Sequence, residues 1–355
     1  MHRRQFLQFP IAALAAQPAA PYFPMGLNTY CLRALRWNDE QLLDYAASLK
    51  LDAVFLQDSL DPRAQDPAHW PQVREQAKRL NLHLETGGGG ILPKTPADFD
   101  QSVANLRRNI ERAKAMGSPF VRGVLASDRA SFPPGPVEQH METAVRLLKA
   151  VRLQAMDANL KIIIEVHKDL LAWELRQVIE AAGPEFAGVY MDTGNPVFVL
   201  EHPLGTLETL APYICTLHLR DSVVYEHPRG VAVQWVPLGE GVVDFPALIQ
   251  RARQLCPNVH VYIKPITGRP PEILPYLEPE FWKRFPDMHA NHLARFLALA
   301  RKGRPYEGHM VIEDLPGKPV PQQFQAAVQY QQREHMERSV EYAKKVLNLG
   351  VRWRS

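Results

Sequence analysis

Eight short apolar runs, spaced along the chain with amphipathic stretches between them, limit what this sequence can fold into. They read MGLNTYCLR, LDAVFLQDS, LHLETGG, FVRGVLAS, KIIIEVHK, FAGVYMDTGN, ICTLHLRDS and VHVYIKPIT. Helical patterns such as DEQLLDYAASLK, PAHWPQVREQAKRL and DFDQSVANLRRNIERAKAMG lie between them. In VEQHMETAVRLLKAVRLQAM, Met141, Val145 and Leu148 recur at helical spacing, which gives one apolar stripe to pack on a sheet. Gly117-Ser118-Pro119 and Gly183-Pro184 mark helix ends. Eight strand–helix units predict an α/β chain closed into a (β/α)8 TIM barrel. No GxGxxG follows the first run, which weakens the alternative of an open dinucleotide-binding sheet.

The alternation breaks once. A segment rich in proline and aromatic residues, 268–322, separates the eighth strand from the last helix, QQFQAAVQYQQREHMERSVEYAKKVLN, and holds one helical piece near 292–300. An insertion there leaves the C-terminal face of the barrel, where active sites of this architecture sit, so a lid or a homo-oligomer contact is expected. The chain of 355 residues suits one barrel-sized domain over 21–355, and its net charge of +3, with no basic stripe, excludes a nucleic-acid partner. Cys31, Cys215 and Cys256 match no metal-binding spacing and read as buried free thiols. Residues 1–20, MHRRQFLQFPIAALAAQPAA, join paired arginines to a short apolar, alanine-rich stretch. That pattern predicts a twin-arginine-like export signal and a periplasmic protein with no stable membrane insertion once the signal is removed.

Ionisable residues gather at the ends of the later runs. Ile163, Glu165 and His167 share one face of KIIIEVHK, because side chains alternate along a strand. A carboxylate buried there must be paired, hydrogen-bonded or metal-bound. Asp192, His218, Arg220 and Lys264 stand at the ends of the next three strands, and barrel strand ends converge on one place. Carboxylate and imidazole together suit Mn, Mg, Co or Zn as divalent ions. Taken singly, each has a structural alternative: Glu165 pairs with Arg220 or Lys264, Asp192 caps the turn DTGN, and His218 is a hydrogen-bonded core histidine.

The pieces EVH, DTGN, HLRD and LGEGVVDFPALI resemble the xylose isomerase-like barrel family of sugar isomerases, ketose 3-epimerases, inosose dehydratase and the endonuclease IV group. The resemblance implies a metal held by Glu165, Asp192 and His218, a substrate contact from His167, and a small carbohydrate as partner. It also implies a second glutamate on the eighth strand, where this chain has Lys264. In ketose 3-epimerases that pair of carboxylates removes and returns a proton on opposite faces of the sugar. With Lys264 in the second place, Glu165 and Lys264 become the catalytic candidates, Lys264 as a neutral general base, as a charged group that stabilises an enolate oxygen, or as a replacement for the metal paired with Glu165 and Asp192; Arg220 joins His167 in holding substrate. Glu85 and Glu240 are further candidates to complete coordination. The expected activity is isomerisation or epimerisation of an unphosphorylated sugar or polyol through an enediolate. The alternatives are a lyase or dehydratase acting on a keto-sugar or glycoside, and a non-catalytic carbohydrate-binding protein.

Overall fold

Isoleucines 162–164 are fully buried although their side chains alternate, so both faces of that strand meet protein. Such a strand belongs in a parallel sheet covered by helices. In the computed structural model, which describes residues 22–308 and 311–355, the sheet closes on itself. The expected export signal lies outside the described residues.

In chain order the elements are β1 (Met25–Asn28), α1 (Asp39–Ser48), β2 (Ala53–Gln57), α2 (Trp70–Arg79), β3 (His83–Gly90), α3 (Phe99–Met116), β4 (Phe120–Val124), α4 (Val137–Ala150) and α5 (Arg152–Asp157). There follow β5 (Lys161–Glu165), α6 (Ala172–Ala182), β6 (Ala187–Asp192), α7 (Pro203–Leu210), β7 (Ile214–Leu219), β8 (Asp221–His227), β9 (Gly230–Val236) and α8 (Phe245–Leu255). The chain ends with β10 (His260–Ile263), β11 (Glu272–Leu274), α9 (Pro279–Trp282), α10 (Ala290–Ala300) and α11 (Gln325–Lys345). The closed barrel runs β1-β10-β7-β6-β5-β4-β3-β2, and every pair in it is parallel. This is the expected barrel.

Alternation sorts the side chains into two cores. Ile162 and Ile164 join the large core between sheet and helices, whereas Ile163 packs inside the barrel with Ala53, Phe55, Tyr190 and Tyr262. Glu165 follows Ile163 on the inward face and so reaches the barrel mouth.

Two features were not foreseen. After β7 the chain forms an antiparallel hairpin, β8–β9, and β11 of the insertion pairs with it, Ile273 opposite Ala232. The insertion thereby acquires a core of its own, in which Val224 and Val233 of the hairpin meet Leu274, Phe281 and Phe296. Arg129 fastens it to the barrel: its side chain pairs with the buried Glu174 and donates to the carbonyls of Asp169 and Arg284. The helical piece expected near 292–300 is α10, and α11 lies inside the expected 322–348. Cys31 and Cys256 are buried and Cys215 half-buried, all three as free thiols. No helix among the described residues is long and apolar enough to cross a membrane.

Candidate active site

At the mouth, side chains of β4, β5 and β6 and of the residues that directly follow β7 and β10 form one buried ionic network. Lys264 Nζ lies 2.8 Å from Glu165 Oε1 and 3.0 Å from Asp192 Oδ2. The second oxygen of Glu165 accepts from Arg122 Nε at 2.6 Å and also pairs with the terminal guanidinium nitrogen. Arg220 stands 3.0 Å from Asp192 Oδ2, an ion pair without hydrogen-bond alignment, and donates to Asn195 Oδ1 at 3.3 Å. Asn195 in turn donates to Glu165 Oε1 at 3.3 Å. Asp192 Oδ1 accepts from the Gly194 amide at 3.0 Å, so this carboxylate also holds the turn DTGN.

Local sequence makes these approaches feasible. A Cβ on Gly87 would lie 2.6 Å from the backbone nitrogen of Arg122, so only glycine lets β3 run this close to β4 there. Arg122 then reaches across, donating to the Gly88 carbonyl while its guanidinium grips Glu165. A Cβ on Gly194 would likewise strike the side chain of Arg220, at 2.8 Å.

The charges set the protonation states. Burial alone would raise the Glu165 carboxyl, but Arg122 and then Lys264 hold it well below the usual range. Burial lowers Lys264, and Glu165 opposes that shift. Burial pushes His167 down to about 3 and His218 well below its ordinary value, so both imidazoles are neutral at pH 7. Within the network, Arg122, Arg220 and Lys264 stand against Glu165 and Asp192, with Asp58 a more distant neighbour of Arg122, so the network itself holds more cations than carboxylates.

Above it opens a cavity of about 600 Å³, enough for a sugar-sized ligand. Arg122, Lys168, Arg220, Lys264 and Arg269 line it against Asp128, Glu165 and Glu272. Trp235 from the hairpin forms an aromatic wall, with the Arg220 guanidinium 4.4 Å from its ring centroid. The insertion contributes Pro270, Pro271, Leu315 and Pro316, and Lys168 bonds Glu272 of the insertion at 2.9 Å across the rim. The segment thus lines one side of the mouth.

Of the residues singled out in the sequence, Glu165, His167, Arg220 and Lys264 line this cavity, and Asp192 lies directly beneath them. His218 sits deeper, stacked between Tyr190 at 3.7 Å and Tyr262 at 4.6 Å, with neither ring nitrogen hydrogen-bonded among the described residues. It is thus not the hydrogen-bonded core histidine of the structural alternative. A divalent ion does not fit at the mouth in this arrangement. An ammonium fills the point between Glu165 and Asp192, and the two carboxylates are neutralised by three cations. Two other groups among the described residues could hold a metal ion: His83, Glu85 and His260, and Asp39, Asp61 and His69. Glu85 does not reach the mouth; it lies fully buried lower in the barrel. Glu240 is outside the cavity, bonded by Tyr306 at 2.5 Å and Arg338 at 2.7 Å. Sequence reasoning missed Arg122, Asn195 and Trp235. An arginine inside the apolar run FVRGVLAS was the available signal for the first.

The chain belongs to the xylose isomerase-like TIM barrel family, whose model matches residues 43–263. It is 28% identical over 180 residues to the uncharacterized protein YihM of Escherichia coli (strain K12), covering 49% of either chain. It is 25% identical over 203 residues to the 3-oxo-isoapionate decarboxylase of Pectobacterium atrosepticum, covering 57% of this chain and 68% of that one. The match therefore spans about half the length of the first relative and about two thirds of the second. In fold it resembles the D-psicose 3-epimerase of Clostridium cellulolyticum H10, solved with D-tagatose. The TM-score is 0.59 at 13% identity, over 91% of this chain and 99% of the other.

Proposed function

We propose that this chain is a lyase that decarboxylates an unphosphorylated 3-oxo sugar acid at the barrel mouth, with Lys264 supplying the positive charge that a metal would otherwise provide. The observation that carries this reading is the Lys264 ammonium held between Glu165 and Asp192. A buried surplus of positive charge favours an anionic ligand, and a substrate carboxylate supplies the missing charge. The bond between the carboxylate carbon and the carbon beside the ketone breaks, and carbon dioxide leaves. The electron pair passes to that carbon and the ketone oxygen as an enolate, which Lys264 and Arg220 stabilise. The carbon then takes a proton from Lys264, which regains one from water. The name of the decarboxylase relative supports the reaction class.

The isomerase or epimerase reading fits the geometry less well. Glu165 is tied to Arg122, Lys264 and Asn195, its basicity is lowered, and the eighth strand supplies no second carboxylate. The twin-arginine-like segment supports action outside the cytoplasm.

The test is incubation of the full chain with a panel of 3-oxo sugar acids, following carbon dioxide above the spontaneous rate with and without brief EDTA treatment. The expected result is release that EDTA does not abolish. Solvent deuterium entering a ketose without carbon dioxide release would return the assignment to an isomerase. Ligand binding with no turnover of any kind would favour the carbohydrate-binding protein.

A further inference from the structure

At the opposite end of the barrel from the cavity, a buried carboxylate lacks the partners it needs. Glu85 is fully buried, and although His83, Thr216 and Tyr262 lie beside its carboxyl, none of them is aligned as a hydrogen-bond donor to either oxygen among the described residues. No lysine or arginine pairs with it; its charged neighbour is His83, whose Nε2 lies 3.7 Å away. Such a group must be neutralised by a proton or by a cation.

Its surroundings suit a cation. His83 opens β3 and His260 opens β10, so both stand on the floor where barrel strands begin. Their rings stack across that floor, with centroids 4.1 Å apart and planes 5° from parallel. One ligand atom each from His83, Glu85 and His260 lie within 4.8 Å of one another. The last torsion of each imidazole is soft, so these rings are free to turn towards an ion between them. His83 is partly exposed, which gives an ion a way in. The other cluster, Asp39, Asp61 and His69, makes no such demand. Asp61 is gripped by Arg63 and His69 bonds Asp39 at 3.1 Å.

We propose that His83, Glu85 and His260 form a structural site for a divalent cation of the zinc, cobalt or nickel class on the barrel floor, with water completing the shell. Two imidazoles and a carboxylate are a donor set those ions accept. The ion would supply the charge that Glu85 lacks and brace β3 against β10. The layer of Tyr190, His218 and Tyr262 lies between this floor and the ionic network at the mouth, so the proposal stands independently of the reading of the mouth.

The test is a titration of chelator-treated full chain with Co²⁺, followed by visible d–d absorption, in wild type and in the variants His260→Ala, His83→Ala and His69→Gln. The expected result is saturation near about one equivalent with a tetrahedral band, lost in both floor variants and kept in His69→Gln. Absence of binding in wild type overturns the site, as does a band that survives His260→Ala and His83→Ala. If the floor variants do not fold, Zn²⁺ protection of His83 against diethyl pyrocarbonate in wild type decides. Modification unaffected by Zn²⁺ overturns the proposal, and protection supports it. A carboxyl stretch of protonated Glu85 that persists in the infrared spectrum with Zn²⁺ present also overturns it.

Discussion

Lys264 and Glu165 meet 2.8 Å apart across the barrel mouth, joining the end of β10, the strand that closes the barrel, to β5, three strands away around it. Breaking a buried pair from one side strands the partner's charge. Lys264→Met is expected to destabilise the fold by about 3–5 kcal/mol and to abolish turnover. Lys264→Glu tests what the ammonium replaces. In a His260→Ala background it is expected to bind Mn²⁺ at the mouth, seen as loss of the free-ion electron spin resonance signal. Absence of binding would mean that more than Lys264 keeps an ion out.

Trp235 forms one wall of the cavity under the Arg220 guanidinium. Trp235→Ala removes a stacking surface that touches no reacting atom. Losing roughly 1–2 kcal/mol of aromatic and cation–π contact should raise KM about tenfold and leave kcat within a few fold. A fall confined to kcat would place Trp235 in the chemistry instead.

Arg129 holds the insertion through Glu174 and two carbonyls. Arg129→Ala leaves Glu174 buried with less compensation and is expected to cost about 3–5 kcal/mol. Limited proteolysis should then cut first within 268–322. Cleavage no faster than in wild type would show that the core of the insertion suffices to hold it.

The neutral histidines give the fold a sign in its pH dependence. His167 is lowered to about 3 from an ordinary value of 6.5, so between those values the unfolded chain binds a proton that the native one refuses. Stability is therefore fully present above about pH 6.5 and is lost as pH falls towards 3. The depressed Glu165 acts in the same direction, below the ordinary carboxylate range. His167→Asn should flatten the acid limb of a plot of Tm against pH. An unchanged slope would assign the acid sensitivity to other groups, with His218 the first to examine.

The barrel was legible because each of its strands leaves a local mark: a short apolar run, alternation, then a breaker. The strand-end residues were legible for the same reason, since alternation places Glu165 inward once Ile163 is inward. The hairpin was not, although DSVVYEHPRGVAVQWV alternates around a Pro-Arg-Gly turn. Its first residues extend the strand-seven run, and the eight-unit pattern was already complete without it. The role of Lys264 was legible only as a set of alternatives. Its partners, Glu165 and Asp192, were both legible, but Arg122 and Asn195, which hold Glu165 in place beside the ammonium, come from parts of the chain that no local pattern connects to it.

The hairpin and β11 make a small sheet that shares no strand with the barrel, yet it supplies Gln234 and Trp235 to the cavity and anchors the segment above them. One wall of the cavity and the ionic network beneath it are thus packed separately in the molecule. On the proposed reading, exchanging the cap is expected to change the ligand preference, as one changes the bit of a drill, while the network that turns it stays in place.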